Sequence, residues 1–411
     1  MTRISLTDRH AGPSRWRIVV LCFLVQNCAM GFGFGSFGPL LASTQQAFGI
    51  SRGLAATGMS VVMLAIGGLS PFLGSFLQRV PVRTAMVVGA LLGAAGYSGL
   101  AWATSFPVAL VMYGLVGISI SLCAILGPLI LISRWFDENR GKILATVNLP
   151  IVLFATPYIV GAMLPSYGRT AVYGAMGTAF LLMAPLLLLL AERPPMATRD
   201  TVGKASVGPR EGLASILKRP AFWLLSLGIG IMAGSGTGFV VHIVPFGIGK
   251  QMSLQSASAL LSVYAGAGIA GTMLFGWICD RFGPPIALIV SASCQALLWW
   301  GLLHVEGPPL YALAGLLGIC VVPLVTLHGA ALSQMFDAGS VSRAMGYSYS
   351  IKLPFIFGVA PALGVLFDRL GQYAVPFTLM AGLLGVSSVC FYAMSLLMRR
   401  PRAPRLVTVR S

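Results

Sequence analysis

Residues 344–367 read AMGYSYSIKLPFIFGVAPALGVLF, an apolar stretch long enough to cross a bilayer, for which about 20 residues suffice. Near its middle stands Lys352, flanked by Tyr347, Tyr349 and Pro354. A cation at that depth costs at least roughly 2.5–3.5 kcal/mol on insertion scales, so such residues are rare and usually face a cavity. Whether Lys352 has a partner decides what the chain can do.

The rest of the chain is built in the same style. Of its 411 residues 57% are hydrophobic and only 9% charged, against about 25% charged in soluble domains. That composition is an integral membrane protein of many helices. Windows of about 19 residues give about twelve spans: 18–41, 54–77, 84–103, 106–132, 143–164 and 171–190, then 222–247, 256–279, 285–303, 310–335, 344–367 and 375–398. The expected fold is an all-α membrane protein with about twelve transmembrane helices in two six-helix halves. Residues 1–190 form the first half and 191–220 a Pro-, Gly- and charge-rich linker. Residues 221–400 form the second half and 401–411 a basic tail.

The formal net charge of +17 would suggest nucleic acid in a soluble chain, but the placement of the charges accounts for it without such a partner. An even number of spans puts both termini on one side. Of the 27 Lys and Arg, only Arg52, Arg169, Lys250 and Arg369 fall on the opposite side, and Lys352 alone lies at depth. The positive-inside rule then makes the side of the termini cytoplasmic. No cleavable signal peptide is expected ahead of the first span. The seven cysteines form no CxxC pair, so neither a metal nor a disulfide framework is expected.

The ten acids are Asp8, Asp137, Glu138, Glu192, Asp200, Glu211, Asp280, Glu306, Asp337 and Asp368, and each maps to a loop, a tail or a span end. No carboxylate is therefore expected at depth beside Lys352. A buried cation without an acid is left to an anion, which makes Lys352 the candidate substrate anchor. Tyr349, three residues earlier, shares its helix face and can donate a phenolic hydrogen bond.

Internal repetition extends the argument to the other half. Ser133-Arg134-Trp135-Phe136-Asp137 recurs as Ser333-Gln334-Met335-Phe336-Asp337, 200 residues on. Ser51, Ser60, Gly74 and Arg79 match Ser253, Ser262, Gly276 and Arg281 at a spacing of 202. Asn148-Leu149-Pro150, with Pro157, matches Lys352-Leu353-Pro354, with Pro361. Transporters built from such repeats hold their site near midplane between the halves. Asn148 is thus expected to face the same cavity as Lys352, as an uncharged hydrogen-bonding group. Gln26 and Asn27 precede the run Gly31-Phe32-Gly33-Phe34-Gly35, where amides need partners and glycines let helices approach; both are candidate cavity residues. Tyr113, Ser119, Ser121 and Tyr264 are weaker candidates of that kind.

Histidine is the side chain whose unperturbed titration falls near neutral pH. His242 and His328 lie inside spans and are the candidate proton carriers. His242 follows Gly234-Ser235-Gly236-Thr237-Gly238, read as a flexible run. His10 and His304 fall in a tail and a loop. Gly266-Ala267-Gly268-Ile269-Ala270-Gly271 fits GxGxxG, but a dinucleotide site needs a strand before it, and here the run lies inside a membrane helix. No GxxxxGK[ST] sequence is present, so a gradient, not ATP, is the expected driving force.

Two six-span halves, a basic central loop and Gly276-Trp277-Ile278-Cys279-Asp280-Arg281-Phe282-Gly283 together resemble the major facilitator superfamily. Its hallmark loop, Gly-x-x-x-Asp-Arg-x-Gly, is intact there; in the first half Gln78 and Pro81 replace the acid and the second glycine. The resemblance implies gating roles for Asp280, Arg281 and Arg79. Arg134-Trp135-Phe136-Asp137 and the lysine of span eleven look like the bacterial monocarboxylate and oxalate/formate branch. That branch often carries an arginine in span eight, where this chain has Tyr264-Ala265-Gly266-Ala267-Gly268. One cation in place of two favours a monoanion over a dicarboxylate.

The function expected is a secondary active transporter of a small organic anion, a monocarboxylate, by proton symport or anion exchange. The expected setting is the bacterial inner membrane, with both termini cytoplasmic. The partners are the anion, a proton and membrane lipid, with no nucleic acid and no cofactor, and the protein acts as a monomer. The alternative is a proton-driven exporter of drugs or other amphiphiles, which normally wants a membrane-embedded acid, and the sequence places none at depth. An enzyme using His242 as base would need an acid or a metal to orient it.

Overall fold

A computed structural model describes residues 12–136, 140–192 and 213–399. Along the chain, α1 (Gly12–Gly35) and α2 (Phe37–Phe48) make the first pass, and α3 (Arg52–Gly68) and α4 (Ser70–Arg79) the second. The third is α5 (Val82–Trp102). The fourth is α6 (Phe106–Ile120), a wide π-turn at Ser121–Leu126 and α7 (Gly127–Trp135). Then α8 (Arg140–Val147) and α9 (Ile151–Leu187) supply two passes, and the short α10 (Leu213–Leu217) leads into the second half. There α11 (Pro220–Gly249), α12 (Leu254–Phe282) and α13 (Pro284–His304) each cross once. The tenth pass is α14 (Pro309–Val321) with α15 (Leu324–Met335), followed by α16 (Ala338–Leu370) and α17 (Ala374–Arg399).

Among the described residues, ten helical stretches are long and apolar enough to span a bilayer. One of them, Lys142–Leu187, holds two passes divided at Gly168, whose φ of 74° turns the chain. With the shorter Arg52–Gly68 the passes number twelve, as the hydropathy predicts. The second pass differs from expectation: it is interrupted at Leu69, after which Pro71 opens α4, because proline fits the first turn of a helix and not its interior.

The repeat positions take the same local structure in both halves. Ser51 and Ser253 are N-caps, accepting from the backbone N–H of Leu54 and Ser256 at 3.2 Å each. Phe136 and Phe336 end α7 and α15 in extended backbone, at φ −130° and −131°. The run 234–238 is regular helix inside α11, and all but Gly236 of it is buried. Thr237 there donates to the carbonyl of Ala233.

The halves meet through α3 with α16, α9 with α12, and α2 with α11. With an even number of passes both described chain ends emerge on one face, the terminal face, and the tight inter-half contacts lie toward the other, the far face. There a Cβ on Gly364 would stand 2.6 Å from the Gly53 Cα, so only glycine permits that approach. A second inter-half bond has a chemical cause. Pro361 has no N–H, so the Phe357 carbonyl four residues earlier loses its helical donor. The hydroxyl of Ser60, on α3, donates to that carbonyl instead.

Candidate functional site

Lys352 lies on α16 and is only 5% exposed. No carboxylate pairs with it among the described residues; the described acids Glu192, Asp280, Glu306, Asp337 and Asp368 stand at helix ends or loops. Its ammonium is placed 3.1 Å from the centroid of the Tyr349 ring. The i, i+3 spacing puts the two on one face, but it is the π-face of the tyrosine, not its hydroxyl, that meets the cation. From α15, His328 reaches the same place, with its ring centroid 6.1 Å from that of Tyr349. His328 Nε2 is 2.9 Å from Ser348 Oγ, which also accepts from Ser226 of α11 at 2.9 Å. Lys352, Tyr349 and His328 therefore form one cluster within the second half.

The amide candidates form a second cluster, in the first half. Pro150 breaks the helix between α8 and α9, leaving a free carbonyl at Val147 and a free N–H at Val152. Asn27 of α1 satisfies both: its Nδ2 donates to Val147 O at 3.4 Å and to Phe23 O at 3.1 Å, and its Oδ1 accepts from Val152 N at 3.2 Å. Gln26 Nε2 donates to Asn148 Oδ1, and Asn148 Nδ2 donates to Leu144 O at 2.7 Å. Asn148 is exposed at the break, while Gln26 Oε1 is sealed without a partner among the described residues.

The remaining candidates are dispersed. Tyr113 is buried with its hydroxyl 2.9 Å from that of Tyr173. Tyr264 stacks on Phe239 at 4.6 Å. Ser119 and Ser121, at the π-turn, are buried and their hydroxyls have no partner among the described residues. Arg79, Asp280 and Arg281 are exposed at helix ends on the terminal face; the side chain of Gln78 and all of Asp137 lie outside the described residues.

His242 belongs to a different assembly, on the far face. It is fully buried, with Nε2 2.8 Å from the carbonyl of Ala360 and Nδ1 3.0 Å from the hydroxyl of Tyr373. The carbonyl can only accept, so Nε2 carries the hydrogen and the Tyr373 hydroxyl donates to Nδ1. Burial holds that phenol up at about 12, against the opposing pull of Arg52, so it stays a donor. Tyr373 in turn accepts from Arg52 Nη1 at 3.0 Å, and the guanidinium lies 3.8 Å over the Phe367 ring. Asp368 accepts from the backbone N–H groups of Arg52 and Gly53, at 3.0 and 2.7 Å. Arg52 and Gly53 are on α3 and the rest are in the second half, so the network ties one half to the other. A carboxylate at the first turn of a helix is favoured by its dipole.

Arg52, Asp368, Tyr373, Ser226 and Ser348 are absent from the expectations drawn on sequence. The sequence reading sets Arg52 among four basic residues on the far side and Asp368 among the acids at loops, tails or span ends, but nothing in the sequence pairs positions 316 residues apart.

The Major Facilitator Superfamily profile matches residues 23–308 and 243–410. The chain belongs to the Major Facilitator Superfamily. It is a membrane transporter, not an enzyme. The MFS-type transporter YcxA of Bacillus subtilis (strain 168) is 24% identical over 402 residues, covering 93% of this chain and 95% of the relative. Monocarboxylate transporter 11 of Mus musculus is 26% identical over 398 residues, covering 90% and 86%. Among solved structures, a bacterial homologue of the human lysosomal transporter Spinster, in an inward-facing and unoccupied conformation, superposes with a TM-score of 0.77. It is 14% identical, with 96% of this chain and 99% of that chain covered. A D-xylose–proton symporter gives 0.72 at 14% identity, covering 94% and 98%. These two likenesses establish the superfamily fold.

Proposed function

We propose that this superfamily member is a secondary active transporter of a small monocarboxylate, working by alternating access, with Lys352 as the anion anchor. The observation that carries the reading is the Lys352 ammonium, buried and without a carboxylate among the described residues, resting on a ring face. Opposite charges attract more strongly in a low-dielectric site than in water, and breaking a buried pair by removing one member is costly. A cation held with the second member missing is a site for a mobile anion. The Tyr349 face holds the ammonium in the position from which it meets the anion. One cation matches one negative charge, and the relative from mouse is named for monocarboxylates.

The chain-end side is cytoplasmic on the charge bias, and the membrane is the bacterial inner membrane. The halves close on the far face through the Arg52–Asp368–Tyr373 network, while Arg79, Asp280 and Arg281 gate the terminal face. His242 is the proton-coupling residue. Tyr373 and Ala360 seal it while the far face is shut, so protons from that side reach it only when the halves part there.

Uptake of labelled acetate, lactate, pyruvate and benzoate into proteoliposomes tests the reading. Wild type is expected to accumulate at least one of them, and Lys352→Ala, folded by size-exclusion profile, to accumulate none. Undiminished uptake by Lys352→Ala contradicts the anchor.

A further inference from the structure

The hydrogen bonds around His328 settle which of its ring nitrogens carries the proton. Ser226 and Ser348 are fully buried and His328 is 1% exposed, so water contributes little to their bonding. Ser226 donates to Ser348 Oγ, and that oxygen lies beside His328 Nε2. Ser348 makes no bond to a carbonyl of its own helix among the described residues, whereas Ser350 nearby donates to Gly346. The acceptor left for the Ser348 hydrogen is Nε2. Were Nε2 protonated instead, the Ser348 hydrogen would be stranded, and the Nδ1 lone pair as well. Stranded polar groups are expensive in a dry interior. The arrangement with fewer orphans is the neutral ring with its hydrogen on Nδ1, accepting from Ser348 at Nε2.

That choice leaves one group unspent. Nδ1–H has no partner among the described residues. It is also not one of the sealed, unpaired atoms, unlike Gln26 Oε1 and Tyr97 Oη. The ring it belongs to stands 6.1 Å from Tyr349, whose face carries the Lys352 ammonium. A cation and an idle neutral donor thus stand around one aromatic ring, and a carboxylate has two oxygens to offer them.

We propose that His328 is a substrate ligand, donating from Nδ1–H to one carboxylate oxygen while Lys352 holds the other. This rests on the monocarboxylate reading above and deepens it. Ser226 and Ser348 are positioning residues that hold the tautomer. A neutral donor adds no charge, so the site remains matched to a monoanion. It also recognises the carboxylate as a pair of acceptors, and therefore rejects the amide of the same acid, whose nitrogen would meet a donor. His328 is then spent on the substrate and carries no proton across.

Two measurements test this. In ¹⁵N-histidine-labelled wild type in nanodiscs, the His328 signal, identified by its absence from His328→Asn, is expected to show a protonated Nδ1 and an unprotonated Nε2. Protonated Nε2 overturns the proposal without touching the role of Lys352. Binding is then followed by thermal stabilisation with acetate, lactate, pyruvate and benzoate. His328→Leu is expected to weaken the best of these about 10- to 100-fold, as loss of a bond to a charged group does. His328→Asn, whose amide nitrogen can stand near Nδ1, should recover most of that loss and leave the pH profile of transport unchanged. His328→Leu binding like wild type, His328→Asn no better than His328→Leu, or a pH profile that flattens in His328→Asn each overturn it. If no acid stabilises wild type, or Lys352→Ala binds as wild type does, the anchor itself falls.

Discussion

Lys352 and Tyr349 show what a residue's neighbours reveal and what they conceal. The census of charges, with every acid at a loop or span end, was enough to mark Lys352 as uncompensated, and the structure adds a π-face beneath it. The use of Tyr349 was only half legible: spacing gave the shared face, but the rotamer that presents ring rather than hydroxyl depends on packing. The difference is testable by isothermal titration with the best carboxylate. Tyr349→Phe keeps the face and is expected to bind within about twofold of wild type. Tyr349→Leu loses a contact worth about 0.5–2 kcal/mol, weakening binding roughly 2- to 30-fold. A Phe variant as weak as Leu would show that the hydroxyl matters instead.

At the scale of elements, proline sets the breaks and distant polar groups repair them. The interruption after Asn148 could be anticipated from Pro150, and the repeat aligned it with the region of Lys352. What could not be read was that Asn27, on another helix, closes the gap by bonding Val147 and Val152. Sequence shows a polar residue in an apolar span; it does not show whether a ligand or a broken backbone takes its bonds. Asn27→Ala leaves those two backbone groups unpaired, and the destabilisation expected is about 1–3 kcal/mol, read as a lower midpoint of thermal unfolding. The Ser60 bond to Phe357 follows the same logic, with Pro361 freeing the carbonyl. The regular helix over 234–238 has a related cause. In a membrane helix, glycines serve close packing, and here Gly234 lies against Phe355 and Val359 of α16.

The whole molecule was the most legible scale. Composition, hydropathy windows and the 200–204-residue repeat gave twelve passes in two halves, because a bilayer imposes its thickness on every span alike. The far-face network was not legible, since Arg52 and Asp368 each look like ordinary loop charges until the fold sets them together. Asp368 accepts two backbone N–H groups from the opposite half, so its loss is expected to loosen that closure. With spin labels at Gln46 and Gln372, on the far face of the two halves, Asp368→Ala should shift the distance distribution toward longer separations. An unchanged distribution would assign the closure to the Gly53–Gly364 packing alone.

The claim on which these scales converge is that a buried ammonium waits for a carboxylate. Its most direct test is equilibrium binding by purified protein, measured as thermal stabilisation across acetate, lactate, pyruvate and benzoate, in parallel with Lys352→Met. A ligand that binds only the folded state stabilises it in proportion to the logarithm of its concentration over its dissociation constant. Wild type should therefore gain stability steadily with at least one acid, and none with the matching amide, while Lys352→Met, intact and folded, should gain nothing. Equal stabilisation of Lys352→Met and wild type by the same acid would contradict the account.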